Sequence, residues 1–195
     1  EILRYGQNDG QPQAPTFSWG TIQVLNSGDV SHSSLAVVNG YPTVAYYVES
    51  TKNLIYRRAS DSAGNGWETP VTLDATGDVG SYCSLAVVSG RPAIVYFDFT
   101  NQRIKYTRAN DADGGSWGTP MIVRSSVNVS GTISLVIADN YPAISYYDAT
   151  LGHLMYMRAT DETGATWGKP VVVANSASQY HSLALIQDHP AFSFF

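Results

Sequence analysis

"SLAVVNGYPTVAYY", residues 34–47, would pass for any apolar pair of strands if it occurred once. It returns as "SLAVVSGRPAIVYF" from Ser84, "SLVIADNYPAISYY" from Ser134 and "SLALIQDHPAFSFF" from Ser182, at offsets of 50, 50 and 48 residues. Each copy is apolar at both parities instead of alternating. A strand covered on both faces needs that pattern, whereas a sheet with one wet face would alternate.

The first three copies are followed by a second block, "NLIYRRAS", "RIKYTRAN" and "HLMYMRAT", then by a Trp-containing turn and a last apolar run, "VTLDAT", "MIVRSS" and "VVVANS". That makes four short strands per unit, bounded by Gly, Pro, Asn and Asp turn signals, and no stretch reads as a helix. A period near 50 with four strands per unit predicts an all-β chain: a four-bladed β-propeller of four-stranded antiparallel blades.

The fourth copy stops at Phe195. Its missing half matches the other end, where "EILRYGQND" (1–9) aligns on 53–61 and "WGTIQVL" (19–25) on 67–73. The expected blades are therefore approximately 28–76, 77–126, 127–176 and 177–195 plus 1–27, one domain with the last blade closed by both chain termini. Such closure removes open sheet edges. The alternatives are a piece of a longer array, or two chains pairing into an eight-bladed ring.

Composition narrows the function classes. Charged residues are 14% of the chain and the net charge is −5, with no basic run, which excludes a nucleic-acid groove. No apolar run approaches the ~18 residues of a membrane-spanning helix, so no membrane insertion is expected. The lone cysteine, Cys83, allows no intrachain disulfide. The chain begins at Glu1, which reads as a processed or trimmed start, and the expected location is secreted or cell-surface.

The recurring turn is "ASDSAGNGWETP" at 59–70, "ANDADGGSWGTP" at 109–120 and "ATDETGATWGKP" at 159–170. Ser60, Gly64 and Trp67, then Asn110, Gly114 and Trp117, then Thr160, Gly164 and Trp167 stand at fixed spacing. The pattern resembles the Asp-box of sialidase-type (BNR) propellers, as in repeat-containing bacterial extracellular proteins. The acids Asp61, Asp111 and Asp161 stand one residue earlier than that motif places them.

The resemblance implies a propeller whose repeated turns lie away from the functional face. An Asp can bond backbone N–H groups further along its turn, Gly supplies a positive φ, and Trp buries a flat ring between blades. Trp19, Trp67, Trp117 and Trp167 supply one ring per repeat, and Arg58, Arg108 and Arg158 recur within reach of the Asp and Trp side chains. All of these are expected to be structural.

Function is expected where the copies differ, at the blade-to-blade connections and the neighbouring turns. These bring His32, Tyr82, Tyr180 and His181, with Glu49, Asp98 and Asp148 in the turns. Aromatic faces stack on sugar rings and carboxylates take hydroxyls, so a lectin-like, carbohydrate-binding module without catalysis is the first reading. The alternatives are a structural or protein-interaction scaffold, monomeric or self-associating, and a glycosidase-like enzyme using Asp98 and Asp148. No cofactor is expected. The four histidines lack metal-motif spacing, although an axial ion held by backbone carbonyls in the central channel is compatible with a propeller.

Overall fold

A computed structural model of the chain describes residues 22–175 and 179–195, and every regular element among them is a β-strand. Three antiparallel sheets follow the sequence period. The first holds β1 (Val30–Val38), β2 (Tyr41–Val48), β3 (Asn53–Arg58) and β4 (Val71–Asp74). The second holds β5 (Val79–Val88), β6 (Arg91–Asp98), β7 (Arg103–Arg108) and β8 (Met121–Ser125). The third holds β9 (Val129–Ala138), β10 (Tyr141–Asp148), β11 (His153–Arg158) and β12 (Val171–Asn175). β13 (His181–Ile186) and β14 (His189–Phe194) pair as the described part of the fourth. The chain is an all-β propeller of four blades, and the three four-stranded ones are meanders in chain order.

The expected third strand of the fourth blade, its closure by both termini and the place of Trp19 lie outside the described residues. The expected fourth strand, 19–25, is described only from Ile22, and residues 22–25 form no strand. A strand needs a hydrogen-bonded neighbour, and among the described residues β14 carries none on its far edge.

The first two strands of every blade join through two residues with positive φ: Asn39–Gly40, Ser89–Gly90, Asp139–Asn140 and Gln187–Asp188. This is the type I′ geometry whose twist matches that of the flanking strands. Burial at both parities has its cause in the stacking of blades. Ala45, Leu54 and Tyr56 of the first blade pack with Leu85, Ile94 and Tyr96 of the second. Val95, Phe97, Ile104 and Tyr106 then pack with Leu135, Ile144, Tyr146 and Met157 of the third. Each such apolar side chain contributes roughly 1.5–3 kcal/mol on burial. The repeated Ser has an inter-blade task as well: Ser34 Oγ accepts the Leu85 N–H at 2.9 Å, and Ser84 Oγ the Leu135 N–H at 3.1 Å.

The recurring turn is a backbone cradle around a carboxylate. Asp111 Oδ1 accepts the N–H groups of Asp113, Gly114 and Gly115 at 2.8–3.1 Å, and Oδ2 that of Ser116 at 2.7 Å. Asp61 and Asp161 repeat the arrangement. In the third copy burial would raise the Asp161 carboxyl, but bonds from Thr163, Thr166 and Ala165 outweigh it and hold it well below the usual carboxylate range. Trp67, Trp117 and Trp167 each donate the indole N–H to the carbonyl of Gly64, Gly114 or Gly164, at 2.8–3.1 Å.

Gly114 (φ +78°) is required twice over, because a Cβ there would also meet the Tyr56 hydroxyl at 2.5 Å. Tyr56 Oη donates to the Asp113 carbonyl at 2.8 Å and its ring meets Trp117 edge-on at 4.9 Å. Tyr106 does the same to Thr163 and Trp167. The turns of the second and third blades therefore staple each of them to the blade before it.

The arginines differ from expectation. Arg58 pairs with Asp113 of the next blade at 3.0 Å, not with Asp61, and its guanidinium lies 3.9 Å from the centre of the Tyr41 ring. Arg158 covers Tyr141 in the same way, and Arg108 donates to the carbonyls of Val88 and Ser89. The strands carry these side chains toward the hairpin turns, where Arg58 and Arg158 cover tyrosines and not the tryptophans, and Arg108 meets backbone carbonyls.

Candidate functional site

At the opposite end of the blades the connections and the turns between second and third strands zip together. Glu49 N–H donates to Asp29, Val79 N–H to Lys52, and Phe99 N–H to Asp78, all to carbonyl oxygens at 2.9–3.0 Å. β1 and β5 both break register just before the repeated Ser. At those bulges His32 and Tyr82 hold φ of +51° and +54°, a left-handed conformation that costs a non-glycine residue about 1 kcal/mol or more. Bulges re-aim side chains, and here they bring the two rings together. Their centroids lie 4.5 Å apart, edge to face.

Around this pair stand Tyr47, 6.2 Å from the His32 ring, and Phe99, 6.0 Å from the Tyr82 ring. Phe99 in turn packs edge-on against Phe97 at 4.8 Å. His32 and the rim of Phe99 are exposed, Tyr82 is half-buried and Tyr47 is buried.

The polar partners are ordered. Ser31 Oγ donates to Glu49 Oε1 at 2.5 Å. Tyr47 Oη and Lys52 Nζ both donate to Asp78, at 2.7 and 2.6 Å. Burial alone would raise the Asp78 carboxyl, but these two bonds outweigh it and hold it below its ordinary value. The bond to Asp78 raises Lys52, and burial with that carboxylate raises the Tyr47 phenol. Partial desolvation against its neighbours lowers His32, against the pull of Glu49. The result is an imidazole and three aromatic faces beside two ordered carboxylates and one ammonium.

Of the residues singled out in the sequence, His32, Tyr82 and Glu49 come together here. Tyr180 is exposed beside the fourth blade. His181 is half-buried and bonds Ser145 Oγ of the third blade through Nε2 at 2.9 Å. Asp98 and Asp148 are buried. Asp98 binds the Asn101 N–H at 2.9 Å, and Asp148 the N–H of Thr150 at 3.0 Å. As caps of their own turns they present no free carboxylate to a ligand, and they leave the candidate set.

Tyr47, Asp78 and Phe99 were missed. Tyr47 was hidden in an apolar strand, and Asp78 in a connection whose "GDV" recurs from the first blade (28–30) to the second (77–79). Among the described residues no three His, Cys, Asp or Glu side chains gather to hold a metal ion. No helix there is long and apolar enough to cross a membrane.

No protein-family model and no curated protein matches this chain. Among solved structures it is similar to a GH62 hydrolase determined in complex with xylotriose, with a TM-score of 0.54 and 15% sequence identity. The match covers 85% of this chain and 64% of the hydrolase chain, just under two thirds of that structure. At that identity the likeness shows the fold, and the class it defines is the β-propeller.

Proposed function

We propose that this chain is a carbohydrate-binding module, acting without catalysis through the His32–Tyr82 face. The observation that carries the reading is the pair of adjacent bulges, which hold two polar aromatic rings 4.5 Å apart in left-handed backbone beside the exposed Glu49 and Lys52. Rings of this kind cover the apolar face of a pyranose, while Glu49, Asp78, Lys52 and the imidazole nitrogens exchange hydrogen bonds with its hydroxyls. A propeller of similar fold solved with xylotriose supports a xylo-oligosaccharide as the first probe. The proposed face binds without hydrolysis. The two acids that would have served it, Asp98 and Asp148, are buried and engaged with their own turns.

Titration calorimetry with xylotriose and a panel of neutral oligosaccharides tests the reading. Saturable binding is expected, weakened at least about tenfold by His32→Ala or Tyr82→Ala. Binding that survives both substitutions, or none to any glycan of the panel, would overturn it.

A further inference from the structure

The three recurring arginines stand in one column but keep different company. The Arg58 guanidinium lies 3.9 Å from the centre of the Tyr41 ring and pairs with Asp113 of the next blade at 3.0 Å and with Glu68 at 3.8 Å. The Asn39 amide donates to the same Asp113 oxygen at 2.9 Å. Arg158 lies 4.7 Å from the Tyr141 ring centre and pairs with Asp139 at 3.1 Å. Each of these two cations has an aromatic face against it and a carboxylate beside it.

The second blade changes every one of those partners. At an offset of 50 residues, Arg91 stands for Tyr41, Thr163 for Asp113 and Gly118 for Glu68, while Ser89 stands where the third blade has Asp139. Among the described residues Arg108 forms no ion pair. Its Nε and Nη2 donate to the carbonyls of Val88 and Ser89, at 3.0 and 2.9 Å. Val88 is the strand partner of Arg91, so the head of Arg108 is held beside a second cationic residue. Partial burial lowers the Arg108 guanidinium and Arg91 adds to that, against the pull of Tyr106 and Asp161. Asp161 is no substitute for a partner, because both its oxygens are taken by N–H groups and hydroxyls of its own turn.

Where the first junction has an ion pair, the second has space. A hollow of about 190 Å³ opens there, lined by Tyr106, Thr107, Arg108 and Thr119 and, from the next blade, by Thr163 and Gly164. Its walls belong to two blades whose four strands are all described. A partly desolvated cation without a counter-ion is costly, and a carboxylate arriving from outside removes that cost.

We propose that the Arg108 hollow binds the carboxylate of a small organic acid, with Arg91 as the second cation. The two backbone carbonyls take two of the five guanidinium N–H groups, and the others serve the ligand. The bound acid restores at this junction the pairing that Asp113 gives Arg58. The hollow lies at the Trp-turn end of the blades, so it stands or falls apart from the His32–Tyr82 face.

Malonate and, separately, inorganic phosphate, titrated into the ¹⁵N-labelled chain at constant ionic strength, test this. Malonate should saturate, with the amide shifts of Gly118, Thr163 and Gly164 the largest. Arg108→Gln should weaken it at least about tenfold, and Arg91→Tyr, which restores the ring of the other blades, about threefold. Thr163→Asp supplies the acid of the first junction from within the chain, and should also weaken malonate at least about tenfold. That variant should keep the wild-type circular dichroism, since Tyr106 uses only the backbone carbonyl of Thr163 and an Asp already fills the position in the second blade. No saturation by malonate, full binding in Thr163→Asp, or phosphate bound as tightly as malonate would each overturn the proposal.

Discussion

The two ends of a blade obey opposite rules. At the Trp-turn end the same residues recur three times, and what they touch is the neighbouring blade: Tyr56 bonds Asp113, Tyr106 bonds Thr163, and Arg58 pairs with Asp113. At the other end the positions change from blade to blade, and His32, Glu49 and Lys52 face solvent. Repetition marks the joints between blades, because every junction poses the same packing problem. A ligand is met at one place only, so the residues that meet it need not recur.

Substitutions at the two ends should separate scaffold from site. The largest effect is expected at Gly114→Val, where a β-branched side chain must adopt φ +78° against the Tyr56 hydroxyl. A loss of roughly 4 kcal/mol in urea unfolding is expected. Gly90→Val shares the positive φ but has open space around it, so only the backbone strain should appear, about 1–2 kcal/mol. Equal losses at both glycines would mean that the Tyr56 staple adds nothing.

Asp111→Ala, which strands four backbone donors, should cost about 2 kcal/mol in the same assay. The pH dependence has the matching sign. Asp61, Asp111 and Asp161 are held below their ordinary values, so the folded chain binds fewer protons than the unfolded one. Their contribution is complete above the unfolded value of about 3.9 and is lost as the pH falls through the folded values. A thermal midpoint that stays constant on acidification below pH 4 would contradict the cradle.

On the opposite face the effects on stability shrink. Tyr47→Phe removes the bond to Asp78 and should cost about 1 kcal/mol. NMR titration should then find the Asp78 carboxyl closer to its ordinary value. His32→Ala should change stability by less than about 0.5 kcal/mol, since the ring is exposed and its backbone is strained. If His32→Ala instead destabilises as much as Asp111→Ala, the difference between the two ends disappears.

The fold was legible because each blade repeats its own solution: apolar residues at both parities, turn residues at fixed offsets and one Trp per unit all point to stacked four-stranded sheets. The candidate site was legible only in part. His32, Tyr82 and Glu49 stood out as departures from the repeat. Asp98 and Asp148 looked equally available, because an acid opening a turn reads the same whether it caps backbone or meets solvent. Phe99 lay in a turn read for its charges, and Tyr47 looked like one more core aromatic.

The sequence by itself determined the four-blade plan, the hairpin turns and the residues of the Trp turn, since these rest on local periodicity and on contacts that recur at every junction. Only the tertiary structure decided which partner each side chain takes. Arg58 finds the carboxylate of the next blade, His181 turns to Ser145, and Tyr47 joins Lys52 on Asp78. Those pairings cross from one blade to another, where distance along the chain no longer measures distance in space.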